Sequence, residues 1–359
     1  MKARTYASYT PIMIFMEQSP LQRLAFAASL SGILFVAACA GPIKNTAEAE
    51  VAPIEQAINA IVGIYADIPG DAHSARSLGT RRQGSGVLID DDGLILTVGY
   101  LILEAERAGI VSINGESLPA DIVAYDHDSG FGLLRAKGPI NAKPIGFGSS
   151  AQLLPGSPVL AVSFEGPEPV IPARVISRRP FVGYWEYLLE KAIFTAPPLS
   201  EYGGAALIDN DGRLLGIGSL MVNDALDDTT PMFGNVFVPI DLLKPILDDL
   251  IAKGRPSVPA APWLGLFSDE AEGRVIVTRL STGGPAEKSG VEEGDIIIGV
   301  GGHRVRNQVD MYRKIRKQGR AGDSVALDVL AHDSYDLKIR RILIESLDRR
   351  DWIKVPDPL

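Results

Sequence analysis

A single cysteine, Cys39, in 359 residues excludes any internal disulfide, so packing and hydrogen bonds must hold this chain together. Histidine is almost as scarce. Of the four, His73, His303 and His332 are too scattered to suggest a metal site, and no cofactor is implied. The fourth, His127, reads as a surface histidine in a turn. Positive charge is in deficit: 35 Lys and Arg against 44 Asp and Glu give a net charge of −9, which argues against nucleic acid as a partner. One basic cluster, Arg313, Lys314, Arg316, Lys317 and Arg320, reads as the solvated face of one helix. The apolar stretch 24–38, preceded by Arg23, is roughly 15 residues, short for a membrane span and suited to a secretory signal.

What is abundant is turn chemistry. Thirty-seven glycines and 25 prolines favour a mostly β protein. Runs of strand character fall at 60–65, 86–89, 94–97, 110–113, 120–125, 132–135, 158–162 and 214–220. Asp91-Asp92-Gly93, Asn114-Gly115 and Asn210-Asp211-Gly212 are hairpin turns between them. Helical spacing at 240–252 closes this region, and the three prolines of 254–262 make a semi-rigid linker. A second unit follows, with strands at 275–280, 295–300 and 324–330 and helices at 286–289 and 308–318. At the other end, Val36-Ala37-Ala38-Cys39 followed by Ala40-Gly41-Pro42 resembles a bacterial lipobox. That resemblance implies diacylation of Cys39 and a lipid-anchored, periplasm-facing envelope protein, with the outer membrane favoured. The division is therefore signal peptide 1–39 (with Met16 as an alternative start), tether 40–55, β domain 56–253, linker 254–262, second unit 263–346 and tail 347–359.

The stretch 84–97, a Gly-Ser-Gly strand, an Asp-Gly turn and Ile95-Leu96-Thr97, resembles the HtrA (Deg) family of trypsin-like serine proteases. Asp126-His127-Asp128-Ser129-Gly130 and Glu201-Tyr202-Gly203-Gly204 continue the resemblance in the right order. It implies a two-barrel trypsin-like domain, with Tyr100 at the histidine position, Gly130 at the catalytic acid and Tyr202 at the nucleophile. Acyl transfer needs an activated serine, an imidazole base and an orienting carboxylate. A phenol with a reference pKa of about 10 cannot serve as the base near neutrality, and glycine has no side chain to orient one. The loss of a whole triad costs on the order of 10⁶ in turnover. The alternative is a serine endopeptidase using displaced residues, with His127, Asp126 or Asp128, and Ser200 as candidates. A blander role for Tyr100 and Tyr202 is to fill the vacated cleft.

Trp263-Leu264-Gly265-Leu266, Gly284-Pro285-Ala286 and Gly294-Asp295-Ile296 make the second unit resemble the PDZ domain that follows HtrA proteases. The implied function is capture of a polypeptide C-terminus as an added strand. Leu264, Gly265 and Leu266 would hold the carboxylate, and Met311 and Ile315 the terminal side chain. The sequence reading is thus a non-catalytic envelope lipoprotein that binds polypeptide segments as adaptor, chaperone or regulator. Its partners are protein C-termini and, through the lipid, a membrane; the family resemblance also allows a homo-oligomer.

Overall fold

The computed structural model describes residues 46–183, 187–227, 230–332 and 338–353; Cys39 and the lipobox lie outside them. Short β-branched runs bounded by glycine turns fold into two six-stranded antiparallel barrels. The first comprises β1 (Ile61–Asp67), β2 (Arg81–Leu88), β3 (Leu94–Val98), β4 (Arg107–Val111), β5 (Ser117–Tyr125) and β6 (Phe131–Ala136), closed in the order β1-β2-β3-β6-β5-β4. The second comprises β7 (Pro158–Val162), β8 (Val170–Gly183), β9 (Tyr187–Ala196), β10 (Ala206–Ile208), β11 (Leu214–Val222) and β12 (Gly234–Pro239), closed in the order β10-β11-β12-β9-β8-β7. Closure removes the sheet edges, and most inward side chains, such as Phe131, Phe194 and Phe237, lose all exposure. The two barrels share one turn device. Asp90 accepts from the N–H groups of Asp92 and Leu94 (2.9 and 2.7 Å), and Asp209 accepts from those of Asp211 and Arg213 (3.0 and 2.8 Å).

Two helical expectations change. The tether is helical from Thr46 onward: α1 (Thr46–Asn59) leads directly into β1, consistent with its run of the good helix formers Ala and Glu. The helix expected over 240–252 is broken. A 3₁₀ turn covers Ile240–Leu242, and the α-helix starts only at Leu247, after Pro245 has interrupted the backbone ladder. Including the short α2 (Ala75–Leu78), that later helix is α3 (Leu247–Lys253), ended by Gly254 in the left-handed conformation.

Beyond the linker, β13 (Leu266–Ala271), β14 (Arg274–Leu280), β15 (Ile296–Val300), β17 (Ser324–Leu330) and β18 (Ile339–Glu345) form one antiparallel sheet in that order, with β16 (His303–Arg304) paired to β15. Helices α4 (Pro285–Lys288) and α5 (Gln308–Gln318) complete the unit; the Asn307 side chain caps α5 by accepting from the Asp310 N–H at 2.8 Å. The tail does not trail away. Leu347 pairs with Trp263 through two backbone bonds of 3.1 Å, and α6 (Arg349–Trp352) brings Trp352 into a stack on His73, ring centroids 4.5 Å apart. No helix among the described residues is long and apolar enough to cross a membrane.

Candidate functional site: a filled cleft and a covered groove

Tyr100, Gly130 and Tyr202, the positions expected from sequence to match a triad, lie where the barrels meet. Tyr100 sits in a 3₁₀ turn, Gly99–Leu101, directly after β3. The buried Arg82 guanidinium holds this turn, donating to the carbonyls of Tyr100 (2.7 Å) and Leu103 (2.9 Å). Gly99 packs so tightly that a Cβ there would lie 1.8 Å from the Tyr125 ring. From this turn Tyr100 reaches across to the second barrel, and its hydroxyl donates to the Ser219 carbonyl at 3.0 Å. Tyr187 meets the same buried residue, its hydroxyl 2.8 Å from Ser219 Oγ.

The Tyr202 segment is fixed from both sides. Gly204 adopts φ +75°, and any Cβ there would stand 1.9 Å from the Ser85 carbonyl oxygen. Its N–H donates to the Gly218 carbonyl (2.9 Å), while the Ser85 N–H crosses from β2 to the Gly203 carbonyl (2.8 Å). A Cβ on Gly203 would be 2.9 Å from the Tyr100 hydroxyl, so that phenol lies against the turn that follows Tyr202. Gly130 is left-handed (φ +83°), and its carbonyl accepts from the Gly99 N–H at 2.7 Å. The Tyr187 ring lines the space beside it, at ordinary contact distance, 3.8 Å from where a Cβ would be.

The electrostatics keep these phenols protonated. Burial, then the neighbouring phenols of Tyr202 and Tyr187, raises the Tyr100 hydroxyl far above the ordinary tyrosine range. Burial likewise pushes Tyr187 up to about 12. Both remain protonated donors at neutral pH and neither can accept a proton from a nucleophile. Tyr187 and Ser219 were not singled out from sequence; the long β8–β9 hairpin that delivers Tyr187 carries no turn signature in the described residues.

The displaced residues do not assemble beside this cleft. His127, expected at the surface, has both ring nitrogens closed to solvent and packs edge-on against Tyr125, ring centroids 4.2 Å apart. It lines a cavity formed by the linker and the C-terminal helix, whereas exposed Ser200 neighbours Gly166. Among the described residues no cluster of His, Cys, Asp and Glu could hold a metal ion.

In the second unit, Leu264, Leu266, Met311 and Ile315 are gathered as expected, but they are covered: each is 3% exposed or less. Leu188 of β9 belongs to the same apolar cluster, and Val182 of β8 packs against it. The hairpin is clipped to α5 by Arg313, whose Nε donates to Glu190 at 3.1 Å. Arg316 reaches Asp128 of the first barrel at 3.8 Å, and Lys314 pairs with Asp310 on its own helix. Three of the five cations read as a solvated face are therefore paired. Gly265 is left-handed (φ +72°) as a carboxylate loop requires. β13 is an edge strand, but Gln308 of α5 donates to the Ser268 carbonyl on it at 2.5 Å. A crevice of about 960 Å³ separates this edge from Phe181 and Val182 of the hairpin.

Residues 84–217 match the trypsin-like peptidase domain model, and residues 262–340 the PDZ domain model. The chain belongs to the HtrA (Deg) family. This HtrA-type chain is 25% identical over 273 residues to the serine protease Do-like HtrB of Bacillus subtilis, covering 68% of this chain and 59% of that one. It is 26% identical over 267 residues to a probable periplasmic serine endoprotease DegP-like of Bartonella henselae, covering 68% and 50%. The chain thus spans only about half to three fifths of the length of these relatives. Among solved structures, an HtrA-type protease AlgW with decapeptide superposes with a TM-score of 0.51 at 17% identity, covering 86% of this chain and 99% of that one, a likeness of fold alone.

Proposed function

We propose that this HtrA-type chain has no peptidase activity and acts as a polypeptide-binding protein of the bacterial envelope, anchored by lipid at Cys39. The observation that carries the reading is the replacement of all three triad positions by Tyr100, Gly130 and Tyr202, with the Tyr100 phenol bonded into the cleft at Ser219. The family's chemistry needs a base that titrates near neutrality, and burial holds the phenol that occupies that position in its protonated form. Binding falls to the PDZ unit, through the Leu264–Leu266 loop and the pocket of Met311 and Ile315, once the hairpin carrying Leu188 has moved aside. The periplasmic assignment in the name of the Bartonella henselae relative supports the same compartment.

The test is twofold. The purified chain is expected to leave casein intact and to resist labelling by a serine-reactive phosphonate, while crosslinking in cells recovers protein partners that a Gly265→Trp variant loses. Casein cleavage that disappears on changing Ser200 or His127 would overturn the reading.

A further inference from the structure

A cavity of about 390 Å³, separate from both the cleft and the PDZ groove, opens where the linker crosses the first barrel. Its walls are Asp126–Asp128 of the barrel, residues 255–262 of the linker, Trp263 of the second unit and Asp348–Arg350 of the tail. The size falls within the range of small-molecule sites.

Three polar atoms on these walls have no hydrogen-bond partner: both ring nitrogens of His127 and Nε1 of Trp263. Buried polar groups are nearly always satisfied, and each orphan costs about 1–3 kcal/mol, so their coincidence on one cavity calls for an occupant. The acceptors nearby are already engaged. Asp126 accepts from the N–H and hydroxyl of Ser129, Asp348 from the Arg350 N–H, and Asp128 from the Ala261 N–H while facing Arg316. Among the described residues neither Arg255 nor Arg350 has an ion pair; burial depresses the Arg350 guanidinium, the carboxylates of Asp348, Asp126 and Asp128 act against that, and Arg255 adds to it. Spare donors at His127 and Trp263, engaged acceptors, and two guanidinium groups without a direct ion pair among the described residues favour an anion over a cation. The remaining wall, Pro256, Val258, Pro259 and Pro262, is apolar.

We infer that this cavity is a binding site for a small organic carboxylate with an apolar body, its carboxylate at Arg255 and Arg350 and its body against the prolines and Trp263. Neutral His127 can donate from one ring nitrogen, and the Trp263 indole can only donate; both complement a carboxylate. The inference is independent of whether the chain is a protease or binds peptides.

The test uses the full chain, ¹⁵N-labelled, with N-acetyl-leucine as probe. Its uncharged amide and inorganic phosphate are the comparators, and the Trp263 indole N–H signal, assigned with Trp263→Phe, is the readout. N-acetyl-leucine is expected to shift that signal saturably, with the amide and phosphate at least about tenfold weaker. Arg350→Gln, on a half-buried residue, and Arg255→Gln, on an exposed one, should each weaken binding about tenfold. No saturable shift up to about 10 mM, equal binding of the amide, tighter binding of phosphate, or unchanged affinity in both arginine variants would overturn the inference.

Discussion

Leu188→Ala separates the two things the β8–β9 hairpin does. Leu188 is 3% exposed within the apolar cluster of the PDZ unit, and truncating a buried leucine typically costs about 2–5 kcal/mol. If about 2 kcal/mol of that is lost from the docked state, the undocked population rises about thirtyfold. The apparent affinity for a C-terminal peptide should rise by up to the same factor, because the docked hairpin competes for the pocket. Glu190→Ala removes only the clip to Arg313, a pair whose side chains are 52% and 45% exposed and screened by water, so the gain should be at most about fivefold. The assay is fluorescence polarisation with a panel of peptides ending in apolar residues, with far-UV circular dichroism to confirm folding. The expected order is Leu188→Ala above Glu190→Ala above the parent, with binding abolished when Gly265→Trp is added. A folded Leu188→Ala protein with the parent's affinity would refute the competition.

Other perturbations discriminate further. Gly204→Ala should prevent folding in a solubility or thermal assay, because a Cβ would lie 1.9 Å from a backbone oxygen at a left-handed position. Gly130→Asp has room beside Tyr187 but must adopt φ +83°, so it should cost about 1 kcal/mol in urea unfolding. His127 is held neutral, well below the ordinary histidine value, first by burial and then by Arg349 and Arg350. It is faced also by Tyr125, Asp126, Asp128, Lys253, Arg255, Arg316 and Asp348. The unfolded chain binds this proton below about pH 6.5 and the fold does not, so stability is lost as the pH is lowered below that value, by up to about 1.4 kcal/mol per unit. His127→Gln should flatten that slope in urea midpoints measured from neutral to mildly acidic pH; an unchanged slope would count against it. Asp128, raised by burial, acts in the opposite sense toward the carboxylate range.

Local chemistry made most of the frame legible. The strand over 158–162 and the helix over 308–318 fall where the structure has β7 and α5, because alternation and an Asn cap are written into a few consecutive residues. The barrels could be placed through turns such as Asp90 to Leu94, where one side chain closes the loop. What could not be read depends on partners distant in sequence. Tyr187 and Ser219 become neighbours of Tyr100 only when β9 and β11 enter the same barrel. The 308–318 helix looked like a basic face in water because Glu190 and Asp128, which neutralise part of it, lie more than a hundred residues away. His127 looked exposed for the same reason: the linker and the tail that cover it come from elsewhere in the chain.

The shared hairpin also sets how the molecule comes apart. Its base is wall in the second barrel and its far end, at Val182 and Leu188, is core in the PDZ unit, so neither domain owns a complete hydrophobic interior. Heating should then melt both in a single cooperative transition. A PDZ unit cut free at the linker would expose the patch that Leu188 covers, and would be expected to self-associate and to unfold at lower temperature than the same unit in the intact chain.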